Sequence, residues 1–290
     1  MRHFTRFRAY SLSTKGASMS LSVNNHFTLI EARYNDDNKA NINCEMQKAG
    51  VNRVDVLHIT SWDMDHCNPG ELEILLEELK PKEIECPAYE PHKDCGKRSL
   101  SIINGYTEGT IKFVSPEFVE ASSKELLKGV DSYFNPIELL TEEADANNNS
   151  IAKIFRKGSF QILSLGDCES DIIAERLLDE SIIKKEVDVL ILAHHGSSNS
   201  VISPEFLNIV KPRFVVCPVD RCNVYNHPDQ NVRNWLNTSE IPYLTTKDGD
   251  VLCITNDNRS YDVWYVKQGG PEKLECSPLN NKTYYPNDIY

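Results

Sequence analysis

Val54-Asp55-Val56-Leu57-His58-Ile59-Thr60-Ser61-Trp62-Asp63-Met64-Asp65-His66 joins two kinds of sequence whose meeting decides the fold. Residues 54–60 alternate apolar and polar side chains after Asn52-Arg53, the pattern of a β-strand with a buried face. Asp63, Asp65 and His66 then crowd three ionisable side chains into four residues. A helix start follows, with Asn68 as N-cap, Pro69 at the first helical position, and Glu71 and Glu73 in the first turn. Leu72, Leu75, Leu76 and Leu79 give that helix one apolar face. Strand, ionisable loop and helix in succession is the order of an α/β protein, and loops on such a scaffold are where sites gather. Asp63 and Asp65 have a second reading, as caps of the following helix that favour its positive end.

Asp and His, side chains that hold divalent metals, recur after three more strand-like runs. Residues 150–156, a Lys157-Gly158 turn and residues 160–165 read as a hairpin that delivers Leu165-Gly166-Asp167. Gly166 permits a sharp turn, so the Asp167 carboxylate can face back toward the strand ends. Its alternative role is a cap for the amphipathic helix expected over 170–178. Residues 187–193 form a nearly continuous apolar run that ends in His194-His195-Gly196-Ser197. Two adjacent His are unusual as mere packing, because each buried imidazole needs its own hydrogen-bond partner. Successive side chains on an extended segment point opposite ways. One of the pair is therefore expected to hold metal, and the other to orient it or to meet substrate. The buried run 214–219 leads to Tyr225-Asn226-His227-Pro228, where His227 sits either at the site or in solvent ahead of a helix over 228–236.

The remaining runs fill in the frame. Residues 6–11, 18–23 and 27–33 read as opening strands, with a turn at Asn24-Asn25. Residues 83–86 and 111–114 read as short strands. The stretch between them and residues 116–130 look partly helical, and 141–149 reads as an acidic, Asn-rich loop. Another helix starts at Ser203-Pro204-Glu205. Residues 242–245 form a strand, and an Asp248-Gly249 turn precedes a closing pair at 251–255 and 261–266. The tail from Lys267 is polar, with little regular structure expected.

At 290 residues and 40% hydrophobic content, the chain is long and apolar enough for one large core. The 31 basic and 43 acidic residues give a net charge of −12, which disfavours a broad electrostatic grip on nucleic acid. Bound metal ions can still invert the charge of a local site. No apolar stretch approaches the roughly 20 residues that span a bilayer. The basic N-terminus lacks the apolar region and cleavage site of a secretory signal. A soluble, cytoplasmic protein without a membrane partner is expected. Nine Cys are scattered without any C-x-x-C pair, as reduced, partly buried thiols would be. Cys86 and Cys95 flank His92 at a spacing looser than that of zinc motifs.

Taken in order, these segments resemble the metal site of a metallo-β-lactamase-fold hydrolase, most closely the ComEC-like competence branch. Thr60, Asp63, Asp65 and His66 match that family's Thr/Ser-His-x-Asp-x-Asp-His motif. Asn148-Asn149-Ser150 resembles its Asn-x-x-Ser entry to the hairpin, and Thr246-Lys247-Asp248-Gly249 its late Thr-x-x-Gly turn. The resemblance runs from about residue 3 to residue 266. It implies an α/β fold, a four-layer αββα sandwich, as a single domain over 1–266 followed by a polar tail over 267–290. It further implies a metal-dependent hydrolase, a phosphodiesterase or nuclease that uses a metal-activated water on a nucleic acid or nucleotide. The implied metal residues are Asp63, Asp65, His66, Asp167, His194 and His195, with Asp167 bridging two ions. Asp65, His194 and His227 are the implied catalytic residues. One or two divalent ions are expected, Zn²⁺ or Mn²⁺ with Mg²⁺ as a third option, since a carboxylate-rich set favours hard cations.

Three positions depart from the pattern. Ser61 stands where the motif has its first His, Gly16-Ala17-Ser18-Met19 replaces an early Gly-x-Gly-Asp turn, and Glu31 replaces an Asp. Neutral Ser is a poor metal ligand. The alternative is a degenerate, non-catalytic protein that binds a nucleotide, nucleic acid or protein partner. Restoring His at position 61 separates the two, because a large gain in activity would mark a natural protein short of one ligand.

Overall fold

In the strand Val189–Ile191, Leu190 packs into one apolar cluster while Val189 and Ile191 join another. The same alternation splits Leu163 from Ile162, and Val215 from Phe214 and Val216. Strands with both faces apolar must be covered on both sides, and that requirement builds the layers. The structure, a computed structural model, describes residues 4–123, 131–134, 146–156, 160–179, 183–255, 259–267 and 270–280.

The first half runs β1 (Thr5–Ala9), β2 (Met19–Val23), β3 (His26–Ile30), α1 (Lys39–Ala49), β4 (Val56–His58), α2 (Pro69–Leu79), β5 (Glu83–Pro87), α3 (Asp94–Asn104), β6 (Thr110–Val114) and α4 (Pro116–Ser123). The second half runs β7 (Ser132–Phe134), β8 (Ala152–Phe155), β9 (Ile162–Ser164), α5 (Asp171–Asp179), β10 (Val189–Ile191), α6 (Pro204–Val210), β11 (Phe214–Cys217), α7 (Gln230–Thr238), β12 (Tyr243–Thr245), β13 (Asp250–Thr255), β14 (Ser260–Lys267) and β15 (Gly270–Pro278). Among the described residues, one sheet has the order β15-β14-β13-β1-β2-β3-β4-β5-β6 and the other β12-β11-β10-β9-β8-β7. The pairings from β3 to β6 and from β9 to β12 are parallel.

Three apolar clusters separate four layers. Phe7, Met19, Ile30, Ile162, Ile191 and Val216 fill the space between the sheets. Ile42, Leu72, Leu75 and Ile103 of α1, α2 and α3 cover the outer face of the first sheet against Leu29 and Leu57. Ile173, Phe206, Leu207 and Val232 of α5, α6 and α7 cover the second against Leu163, Leu190 and Val215. The result is the expected αββα sandwich. Each fully buried Leu of these interfaces stabilises it by about 1.5–3 kcal/mol.

Local signals place the elements well. The Asn68 carboxamide oxygen accepts from the backbone N–H groups of Gly70 and Glu71 at 3.0 and 3.2 Å, so α2 starts as expected. Asp63 and Asp65 therefore do not cap it. The hairpin expected at 150–165 is β8 against β9, its Lys157-Gly158 turn lying outside the described residues. Residues 124–130 of the expected partly helical stretch and 141–145 of the expected loop also lie outside them. One expectation is corrected. The polar segment after 266 forms β15, paired antiparallel with β14, because a backbone ladder needs no apolar side chains. Asn280 then ties the chain down, donating from its side chain to Val187 O at 2.7 Å and from its backbone to the Asp188 carboxylate at 2.7 Å. Among the described residues, no helix is long and apolar enough to cross a membrane.

Candidate metal centre

Four loops leave the C-terminal ends of β4, β9, β10 and β11, and each brings a residue to one place. In α/β sheets this rim is where ligands bind. After β4 the chain turns through Asp63–Cys67, where the backbone N–H groups of His66 and Cys67 donate to Asp63 O at 2.9 and 2.7 Å. That turn aims Asp65 and His66 inward. After β9, Gly166 adopts a φ of 53°, and a Cβ there would meet the Ser150 and Thr60 side chains at 2.9 and 3.1 Å. Only glycine allows this close turn, which presents Asp167. The alternative role for Asp167 as a helix cap is not taken. The Asn148 side-chain oxygen accepts from the N–H groups of Glu169 and Ser170 at 2.9 and 2.8 Å, and serves the start of α5 instead.

After β10 the backbone is not extended as the sequence reading assumed. His194 and His195 both take left-handed conformations, with φ of 44° and 54°. Non-glycine residues held this way cost of order 1–3 kcal/mol each and persist where the surroundings fix them. The outcome for the side chains is still divergence. His195 is buried, its Nδ1 donating to Pro218 O at 2.9 Å. His194 is partly exposed and its Nδ1 pairs with the Glu169 carboxylate.

One oxygen or nitrogen from each of Asp65, His66 and His195 lies within 4.8 Å of the others. Asp167 joins them, with Oδ1 2.9 Å from His66 Nε2. Asp65 Oδ2 lies 3.5 Å from His195 Nε2. His66 Nε2, His195 Nε2 and Asp167 Oδ1 are all buried without a hydrogen-bond partner. Buried polar atoms whose neighbours are only one another, two imidazole nitrogens among carboxylate oxygens, fit an ion rather than a packed core. The tautomers agree. His66 Nδ1 lies 3.1 Å from the buried Glu31 carboxylate, and Glu31 is itself held by Thr60 Oγ1 at 2.6 Å. With Nδ1 of each ring engaged by an acceptor, Nε2 is the nitrogen that each ring turns toward the carboxylates and, once deprotonated, would offer to a cation.

The electrostatics follow from this crowding. Burial alone would lower the His66 pKa, but Asp167 and Glu31 outweigh it and hold the imidazole well above the usual histidine range. Burial pushes the Asp65 carboxyl up, yet His195, His66 and Lys15 hold it well below the carboxylate range. Asp167 behaves likewise under the charges of His66 and His195.

Asp63 and Ser61 stand apart from this group. Asp63 Oδ2 pairs with Lys93 Nζ at 2.8 Å. The buried Ser61 hydroxyl accepts from Asp63 N at 3.3 Å and lies 3.5 Å from the Tyr89 hydroxyl, which accepts from Trp62 N at 3.2 Å. His227 is held by Asp229 at 2.9 Å and stacks on the exposed ring of Tyr225, 5.7 Å away. Burial lowers its pKa more than Asp229 raises it. Glu31, Lys15, Tyr89 and Glu169 were not singled out as site residues from the sequence. Glu31 alone was named there, as the residue that stands where the resembled family has an Asp.

Two lobes open onto the group. A cleft of about 890 Å³ is lined by Lys15, Trp62, Asp63, Asp65, Lys93 and His194, among others. A smaller one of about 280 Å³ includes Lys15, His194, His195, Tyr225 and His227.

No protein-family model matches the chain. By sequence it is similar to Competence protein ComA of Neisseria gonorrhoeae, 27% identical over a 212-residue alignment that covers 69% of this chain. The match covers 25% of that relative, so the chain corresponds to about a quarter of its length. By structure it is similar to the metallo-β-lactamase fold protein YhfI from Bacillus subtilis, with a TM-score of 0.53 and 9% identity over 87% of this chain and 100% of the other. It is also similar to CmlA, a diiron β-hydroxylase from Streptomyces venezuelae, with a TM-score of 0.54 and 8% identity over 87% of this chain and 54% of that one. The fold is that of the metallo-β-lactamases, and the resemblance to the ComEC-like branch read from the sequence holds.

Proposed function

We propose that the chain is a metal-dependent hydrolase of phosphodiesters, with a nucleic acid or nucleotide as substrate. The observation that carries the metal is the convergence of buried ligand atoms from His66, Asp167, His195 and Asp65 that face one another at the C-terminal strand ends. Two imidazoles and two carboxylates make a mixed nitrogen and oxygen set suited to Zn²⁺ or Mn²⁺. When bound, a divalent cation supplies polarisation of a phosphoryl oxygen and activation of water. Glu31 and Pro218 O fix the rings that hold it. His194 lines both lobes, and we assign it proton transfer to the leaving group, with Glu169 holding its other nitrogen. His227 and Tyr225 offer a flat face to substrate in the smaller lobe.

Support for the phosphodiester is the similarity to a competence protein and the Lys15 ammonium that lines the cleft beside Asp65 on a chain of net charge −12. Asp63 paired to Lys93 and Ser61 engaged with Tyr89 leave one cation position rather than two. The same two observations favour a second reading, binding of nucleic acid without turnover. Hydrolysis of bis-p-nitrophenyl phosphate and of single-stranded DNA, with Zn²⁺ or Mn²⁺, separates them. Asp65→Ala and His195→Ala are expected to lose more than roughly 100-fold in rate, the upper end of what even outer partners of a ligand cost. Equal turnover in both variants and in chelator would overturn the proposal. DNA binding with no turnover in loaded wild type would select the second reading.

A further inference from the structure

Lys15 belongs to neither the ligand set nor the packing, yet its placement is built. Arg33 is buried, and its guanidinium donates to Lys15 O and, at 2.9 Å, to Thr14 Oγ1. The same guanidinium is clamped by Glu71 through two bonds of 2.9 and 3.0 Å. Bidentate pairs of this kind fix direction as well as position. Gly16 has a φ of 146°, and a Cβ there would lie 2.6 Å from Asp65 O. Ala17 N donates to that same oxygen at 3.0 Å. The loop that carries Lys15 is thus stitched through its backbone to the loop that carries the ligands.

The side chain then reaches the junction of the two lobes and lines both. Its ammonium lies 2.9 Å from Asp65 Oδ2 and 5.7 Å from the centre of the exposed Tyr225 ring. Lys93, the other lysine of the cleft, has its charge matched by Asp63 at 2.8 Å. Were Asp65 to hold a divalent cation, its carboxylate would be shared between that cation and Lys15. Lys15 is then the ammonium left short of a partner, with three donors to satisfy and the open cleft beside it.

We propose that Lys15 is the substrate-anion contact of the centre, holding a non-bridging phosphoryl oxygen while the phosphate rests against the metal side. This rests on the phosphodiester reading above and supplies the positive charge that a second metal ion would otherwise bring. The neighbouring Tyr225 ring is placed to receive the group attached to that phosphate.

The test uses the full chain loaded with Zn²⁺, titrated with inorganic phosphate in a calorimeter, with metal content measured on each variant. Lys15→Gln is expected to keep the metal content of wild type and to bind phosphate at least roughly 10-fold more weakly. Lys15→Arg should stay within a few-fold of wild type, and Lys93→Gln should change little. On unsubstituted protein, phosphate should slow acylation of Lys15 by an amine-reactive ester while leaving Lys93 unprotected, which reads the contact even where a variant misfolds. Unchanged phosphate affinity in Lys15→Gln, loss of its metal, or no phosphate binding by wild type would each overturn the assignment. Phosphate binding through Lys15 without diester cleavage would leave the assignment standing and remove the phosphodiesterase reading. Diester cleavage with Lys15→Gln unchanged in both affinity and KM would do the reverse.

Discussion

Ser61 is the residue on which the number of metal ions turns. Its hydroxyl is buried, receives Asp63 N at 3.3 Å and faces Tyr89, whose ring and backbone also anchor Trp62. A larger side chain at 61 must displace Tyr89 or break the cap on Asp63. Ser61→His is therefore expected to lower stability by about 1–3 kcal/mol, the usual cost of overpacking a core. It should add no second ion and bring no gain in activity. Thermal melts with elemental analysis check this, and a stable variant that takes up a further ion would contradict it. The ligand residues themselves were legible because each follows an apolar strand and because paired imidazoles are hard to bury idly. Which imidazole faces inward was not, since that depends on the left-handed turn at His194 and His195 rather than on strand alternation.

At the scale of elements, α1 shows how a helix can dock with little apolar periodicity. Ile42, Met46 and Ala49 are buried beside an acid, Glu45. The Glu45 carboxylate accepts from Arg6 at 2.7 and 3.0 Å and from Arg8 at 3.1 Å, fastening the helix to β1. Burial pushes its pKa up, but Arg6 and Lys48 pull it from an ordinary 4.5 to about 2. A folded pKa below the unfolded one means stability that is present above about 4.5 and is lost as pH falls through about 2. Denaturant unfolding at pH 6 and pH 3 should show wild type losing more stability than Glu45→Gln, and parallel losses would remove this role. The polar sequence Lys39-Ala40-Asn41-Ile42-Asn43 hid the helix, because its buried acid looks like a surface residue until its arginines are known. β15 was hidden for a related reason, since its ladder is made by backbone while Glu272, Lys273 and Glu275 read as solvated.

For the whole molecule, the alternating and continuous apolar runs mark an α/β protein whose strands are covered on both faces, while the arrangement of two sheets with helices outside is what the resemblance of the ordered motifs implies. The parallel strands then place the C-terminal ends of β9, β10 and β11 on one rim, facing the loop after β4 from the other sheet. What stayed illegible comes from distant loops. Lys15 and Tyr89 reach the centre only through the folded arrangement of distant loops, and Glu31, where the resembled family has an Asp, reaches it by engaging His66 Nδ1. Asp63 matches the motif, yet is drawn to Lys93 from the loop ahead of α3.

The central claim is a single divalent cation held by Asp65, His66, Asp167 and His195. Elemental mass spectrometry of protein purified without chelator tests it directly. About one Zn²⁺ or Mn²⁺ per chain is expected in wild type and near none in His195→Ala. Two ions per chain, or none after reloading with either metal, would contradict it.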